Sequence, residues 1–278
     1  MADDDVVDVR DGATGTAALA VVTGASKGIG RALAGVLAEE GFRLLMAADG
    51  DGIHAAADEL ARTGAEVTAV QVDLATPEGV LELATAVDRC GGAQVMCANA
   101  GVGVAGPFVE SDLAAHLRLV DLNVRGLVQL CGLLLPGMVE RGEGAVLLTS
   151  SVAATMPGPG YATYAASKAF VQSFGEALHD ELDGTGVGVT ALQPGPTDTE
   201  FFDRAGMDGS KADRGHKDDP TRVARDAVEA MQSGEDHVVA GAFRNKVQTA
   251  LAKLLPQGAA AAVHGRMLDG SSGDQRVT

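Results

Sequence analysis

Tyr164 and Lys168 stand in Tyr164-Ala165-Ala166-Ser167-Lys168, and residues four apart share one face of a helix. An ammonium beside a phenol favours the phenolate. Lys168 is therefore expected to pull the Tyr164 pKa down from its ordinary value of about 10, giving a proton donor usable near neutrality. A surface tyrosine with a solvated lysine makes the same pattern by chance, so the pair needs company. Thirteen residues earlier comes Ser151, in Leu148-Thr149-Ser150-Ser151, at the end of an expected strand. A strand end and the next helix converge at a sheet edge, where a hydroxyl and a phenol can meet at one carbonyl oxygen. Adjacent residues on a strand point to opposite sides, so only one of Ser150 and Ser151 should face that spot.

A second group lies near the start of the chain, in Thr23-Gly24-Ala25-Ser26-Lys27-Gly28-Ile29-Gly30. Three glycines in the spacing GxxxGxG sit between an apolar run and a helix-like stretch. Gly24 suits a tight turn, Gly28 lets the backbone approach a pyrophosphate, and Gly30 lets the helix close on the sheet. The N–H groups that open the helix then face phosphates. A glycine-rich turn with no ligand is the plain alternative, and the strand-turn-helix context weighs against it.

The elements that must position these residues alternate from end to end. Apolar runs at 18–22, 44–48, 67–72, 95–98, 144–149 and 187–192, with a short one at 237–240, read as buried strands. Between them, helical periodicity covers 28–40, 53–62, 77–88, 111–139, 163–182 and 221–233. The expected fold is α/β: one doubly wound parallel sheet of about seven strands with helices on both faces. Residues 1–17 read as an acidic, disordered tail, 18–257 as the single domain, and 258–278 as a weakly patterned C-terminal extension. The Pro/Gly loop 155–160 and the long polar segment 194–220 follow strands at the carboxyl edge, where sites form in such sheets. Met156, Pro157, Pro159 and residues 201–207 are expected to border a substrate. Phe201-Phe202 suggests an apolar lid, or a lid anchored to the core.

Composition excludes several functions. The 278 residues carry 21 Lys plus Arg against 38 Asp plus Glu, a net charge of −17. So acidic a surface repels phosphate backbones and anionic bilayers, so neither nucleic acid nor membrane is an expected partner. No run approaches about 18 uninterrupted apolar residues. Cys90, Cys97 and Cys131 suit neither a disulfide framework nor a zinc site, so no metal is expected, and a reducing cytoplasm is the expected compartment.

Taken in order, residues 23–30, Asn99-Ala100-Gly101, Asn123, Ser151, Tyr164 with Lys168, and Pro194-Gly195 resemble the short-chain dehydrogenase/reductase family over roughly residues 18–245. The resemblance implies a Rossmann-type domain and hydride transfer between a nicotinamide coenzyme and a small-molecule carbonyl or secondary alcohol. It makes Tyr164 the general acid/base and Ser151 the group that polarises the substrate oxygen. Lys168 then holds the nicotinamide ribose, and Asn123 holds a water that relays protons to Lys168. Gly24, Ser26, Lys27, Gly28, Ile29 and Gly30 would cradle the diphosphate. Asp73 and Leu74 would meet the adenine, Asn99, Ala100 and Gly101 the coenzyme backbone, and Pro194, Gly195, Thr197 and Thr199 the nicotinamide side. Ala98 stands where the family commonly has a further Asn.

An acid after the second strand accepts from the 2′-hydroxyl of NAD and repels the 2′-phosphate of NADP. Asp49 stands there, while Lys27 in the glycine turn favours NADP, and NAD comes out ahead. Without the resemblance Asp73 reads equally as a turn carboxylate. A homodimer or homotetramer is expected, with Val128, Leu135, Phe170 and Phe174 as candidate interface residues that core packing would explain equally well. Two other readings stay open: a non-redox epimerase or dehydratase with tightly held NAD, and a non-catalytic dinucleotide sensor.

Overall fold

The computed structural model describes residues 17–201, 205 and 217–241. The expected acidic tail (save Ala17), most of the 194–220 segment and the C-terminal extension lie outside them. Seven strands form one parallel sheet in the order β3-β2-β1-β4-β5-β6-β7: Leu19–Thr23, Arg43–Ala48, Val67–Gln71, Val95–Ala98, Gly144–Thr149, Val187–Pro194 and His237–Ala240 for β1 to β7. The chain runs outward from β1 to β3 and then crosses to β4, so the order reverses between β1 and β4. That reversal opens a crevice at the carboxyl edge.

The central strands are largely apolar because both faces are covered, whereas the edge strand β3 is partly exposed. Ala20 and Val22 of β1, with Leu44 and Met46 of β2, join one core. It is closed by α1 (Gly28–Glu39), α2 (Gly52–Ala61) and α7 (Pro220–Gln232). Leu19 and Val21, with Leu45 and Ala47, face the second core under α3 (Pro77–Arg89), α5 (Leu127–Arg141) and α6 (Ala162–Glu181). The period of two along each strand thus feeds two separate cores.

The helix expected over 111–139 is different in detail. A 3-10 turn at Phe108–Glu110 precedes α4 (Leu113–Val120), and a π-helical turn at Asp121–Gly126 joins α4 to α5. A Cβ added at Gly126 would lie 2.2 Å from the Leu74 carbonyl oxygen, so the helix passes against the chain just beyond β3. The stretch Leu113–Arg141 is long and apolar enough to cross a membrane by length and composition. Leu119, Leu130, Cys131, Leu134 and Met138 on it are buried in this fold. Of the candidate interface residues, Val128 and Phe170 are exposed. Leu135 is buried in the core, and Phe174 packs against that core, so these two are corrected to packing residues.

Gly126→Ala is expected to destabilise the fold by about 1–3 kcal/mol, the usual effect of overpacking. Gly35→Ala, in α1 where an added Cβ meets nothing within 4 Å, is expected to be neutral or stabilising by about 0.5–1 kcal/mol. Thermal melts of the two variants check the contrast.

Candidate active site

The ends of β1, β4 and β5 are stitched together. Thr23 Oγ1 accepts from the backbone N–H groups of Asn99 and Ala100, both at 3.0 Å. The Asn99 amide donates to the Thr23 carbonyl at 3.2 Å and accepts from Thr149 Oγ1 at 3.3 Å. A Cβ at Gly24 (φ +66°) would lie 3.0 Å from both Ala100 Cα and Asn99 Nδ2. One at Gly30 would lie 2.3 Å from the Gly24 carbonyl oxygen, so the helix does close tightly on the turn. Gly28, also with positive φ, lies under Thr199, whose Cγ2 would be 3.0 Å from an added Cβ. Lys27 is the N-cap of α1, and its side chain makes no capping bond. The helix start therefore keeps N–H groups for an anion, as a diphosphate cradle requires.

Ser151, Tyr164, Lys168 and Asn123 converge and are all buried. The two-serine question resolves as expected. Ser150 Oγ donates to the Lys168 carbonyl at 2.8 Å, tying β5 to α6. Ser151 accepts from Ala153 N–H at 3.1 Å, and its hydroxyl lies near enough to the Tyr164 phenol to oppose the rise in that group's pKa. Lys168 Nζ donates to the Thr149 carbonyl at 2.7 Å and lies 6.0 Å from the centre of the Tyr164 ring. Asn123, in the π-helical turn, clamps the loop after β4: it accepts from Val102 N–H and donates to Val102 C=O and Ser167 Oγ, each at 3.0 Å. A Cβ at Gly101 would lie 3.3 Å from both Asn123 Oδ1 and Lys168 Nζ, so the coenzyme-side loop and the proton-bearing side chains meet at a residue without a side chain.

The expected lowering of the Tyr164 pKa by Lys168 is corrected. Burial pushes the phenol up to about 12, and the Ser151 hydroxyl opposes that rise. Burial also lowers Lys168 to about 8. Spacing i,i+4 aligns two side chains on one face, but it does not bring the ammonium to the phenol oxygen. Here Nζ points to the strand carbonyl instead.

Beyond β3, Asp73 makes the contacts of a turn carboxylate, one of the two readings open to it. Asp73 Oδ1 accepts from Ala75 N–H at 2.9 Å, a turn contact, and Thr76 caps α3. Arg118 of α4 grips both Asp73 oxygens, at 2.9 and 3.3 Å, and reaches Asp49 at 3.7 Å. Each charge stabilises the other, lowering the Asp73 pKa and raising that of Arg118. In the glycine turn, Lys27 is paired with Glu200. Thr197 is buried and donates to the Gly195 carbonyl at 2.9 Å, while Thr199 Oγ1 accepts from Phe201 N–H at 3.3 Å. Asp198 and Asp218 are bonded backbone to backbone at 2.9 Å, which draws together the two ends of the 194–220 segment.

Phe201 and Ala205 pack with Leu119, Tyr161 and Tyr164, the Phe201 ring centre 5.3 Å from that of Tyr164. Of the expected border, Met156 is buried, and Phe202 with residues 206–207 lies outside the described residues. Sequence reasoning missed Thr23, Thr149, Tyr161 and Arg118. Tyr161 was findable, one turn before Tyr164; a lone arginine on an apolar helix gave no signal.

Residues 18–208 match the short chain dehydrogenase family. A 1-deoxy-11-beta-hydroxypentalenate dehydrogenase of Streptomyces exfoliatus is 41% identical over 75% of this chain and 76% of that protein. A sulfoacetaldehyde reductase of Chromohalobacter salexigens is 35% identical over 77% and 86%. A Sphingobium yanoikuyae short-chain dehydrogenase solved with NADPH superposes with a TM-score of 0.77 at 27% identity, covering 92% of this chain and 99% of that one. A Burkholderia phymatum relative solved with NAD gives 0.76 at 28%, covering 83% and 89%. The chain belongs to the short-chain dehydrogenase family and is an oxidoreductase of alcohol and carbonyl groups.

Proposed function

We infer that the protein moves a hydride between a nicotinamide coenzyme and a ketone or secondary alcohol, with Tyr164 as its general acid/base. The observation that carries this reading is the buried contact of Ser151 with Tyr164, one helical turn from Lys168, beside a glycine turn fit for a diphosphate. When bound, the nicotinamide supplies or accepts the hydride. In the reducing direction the Tyr164 hydroxyl gives its proton to the carbonyl oxygen. Ser151 bonds the same oxygen, orienting it and stabilising its developing charge. In the oxidising direction the phenol oxygen takes that proton back.

Lys168 holds the nicotinamide ribose. Asn123 anchors the loop at Val102 and holds the water that relays protons to Lys168. Thr197 serves the carboxamide, Thr199 the diphosphate, and Asp73 with Leu74 the adenine. The preferred coenzyme is NAD, because an acid stands at Asp49 and Lys27 is engaged by Glu200. The wall around Tyr164 is apolar, with Val102, Val104, Ala105, Leu119 and Phe201. It suits an alcohol or ketone carried on a hydrocarbon frame, in keeping with the named activity of the Streptomyces relative. The enzyme works in the cytoplasm as a dimer or tetramer, pairing helix faces that expose Val128 and Phe170.

Tyr164→Phe should lower kcat by about 10²–10⁴-fold while leaving dinucleotide binding within a few-fold. A panel of ketones and secondary alcohols, followed by reduced-nicotinamide absorbance, gives the rate, and wild-type kcat in the variant would refute the role. Asp49→Arg should move the ratio of kcat/KM for NAD over NADP toward NADP; an unmoved ratio removes Asp49 as selector.

Lys168 gives a stability prediction. Its folded pKa of about 8 lies below the ordinary 10.5. The penalty for charging it is therefore full below pH 8 and relieved as pH rises to 10.5, since the unfolded chain binds the extra proton between those values. Lys168→Met removes the pH-dependent part, on the order of 3 kcal/mol. The loss of the bond to Thr149 is independent of pH. Relative to wild type, the coenzyme-free variant should thus be more stable at pH 7 than at pH 10. A melting-temperature difference equal at both pH values would show that Lys168 carries no such penalty.

A further inference from the structure

We propose that Arg118 sets how strictly the site distinguishes NAD from NADP, by offsetting the charge of Asp49. The proposal rests on the nicotinamide reading above. Three observations carry it. Asp49 follows β2 and Asp73 follows β3, on neighbouring strands at the carboxyl edge, and Arg118 reaches both from α4. The guanidinium is held rather than loose, since both Asp73 oxygens grip it and Ala75 N–H fixes that carboxylate in turn. It is also half-exposed, beside an Asp49 side chain that is 64% exposed. The group therefore borders open space on the side where the adenosine ribose must lie.

An acid alone at Asp49 would set two carboxylates, Asp49 and Asp73, against a 2′-phosphate. With Arg118 between them the cluster carries one net negative charge in place of two. A guanidinium has five N–H donors in a fixed fork. Two are used on Asp73, and Asp49 at 3.7 Å is an ion pair rather than a hydrogen bond. Donors remain for a phosphate oxygen, which guanidinium binds well. The 2′-hydroxyl of NAD needs no such cation. Arg118 therefore supports NADP more than NAD, and Asp49 discriminates less than an isolated acid would. Any effect on adenine through Asp73 is common to both coenzymes and cancels in their ratio.

The test is dissociation constants for NADH and NADPH, read from the change in nicotinamide fluorescence; the chain has no tryptophan to interfere. Wild type, Arg118→Leu, Arg118→Lys and the double variant Arg118→Leu/Asp49→Asn are compared, with melting temperatures alongside. In Arg118→Leu the NADPH constant should rise at least tenfold and the NADH constant less than threefold. Arg118→Lys should fall between, and the double variant should regain NADPH binding. Parallel weakening of both coenzymes, with a lowered melting temperature, would make Arg118 a mere strap between α4 and the strand ends and overturn the assignment. Unchanged constants for both would overturn it as well. Wild type binding neither coenzyme would overturn the nicotinamide reading, and the assignment with it.

Discussion

The seam of hydrogen bonds around Asn99 is what the rest of the site depends on. A parallel sheet covered on both faces leaves its strand ends as the place where polar groups can gather. There Thr23, Asn99 and Thr149 join three adjacent strands by side-chain bonds that the sheet ladder does not provide. The Thr149 carbonyl then receives Lys168. One bonded line thus runs from the glycine turn, through the ends of β4 and β5, to the ammonium beside the phenol. Displacing Asn99 would loosen the turn and the lysine together, because each is referenced to the same amide. Where Asn99 lies against Gly24 and Gly30, no added side chain fits.

Burial sets the chemistry at the far end of that line. Tyr164 and Lys168 are both removed from water, and each is pushed toward its neutral form. The phenol becomes a weaker acid and the lysine a weaker base. At neutral pH the phenol keeps its proton while the lysine, at about 8, still carries most of its charge. The Ser151 hydroxyl pulls the other way at the phenol oxygen. The arrangement does not hold a standing phenolate.

The sheet was legible because two-sided burial writes a strand as an apolar run, as β1, β2, β4 and β5 show most plainly, while the edge strands β3 and β7 are only partly buried. That Ser151, Tyr164, Lys168 and Asn123 gather at one sheet edge was legible from residue type and order. What escaped has physical causes. The π-helical turn at Asp121–Gly126 depends on how closely the helix passes the Leu74 carbonyl, a tertiary fact that local periodicity does not encode. The direction of Lys168 depends on the Thr149 carbonyl, on another element. An apolar residue such as Phe174 or Leu135 fits an interface or a core equally by sequence, and only the packing of the second core decides for these two. Arg118 was invisible because its partners, Asp49 and Asp73, are 69 and 45 residues away.

The last step concerns charge. In a chain of net charge −17, a cation facing an anionic ligand has acidic neighbours competing for it. Lys27 is met by Glu200, and Arg118 by Asp73 and Asp49. A phosphate contact from Lys27 would therefore be an exchange in which Glu200 gives way, while Arg118 and the start of α1 keep N–H donors without one. Exposed pairs of this kind are weak, commonly below about 1 kcal/mol, so the exchange is easily reversed. Selectivity then follows from how many partners each cation keeps. Arg118, held by two oxygens of Asp73, keeps its place whether or not Asp49 lets go. Lys27 must leave Glu200 to act. Glu200 adjoins Phe201, whose ring rests on Tyr164, so the pair at the glycine turn is linked by one peptide bond to the apolar cluster around Tyr164.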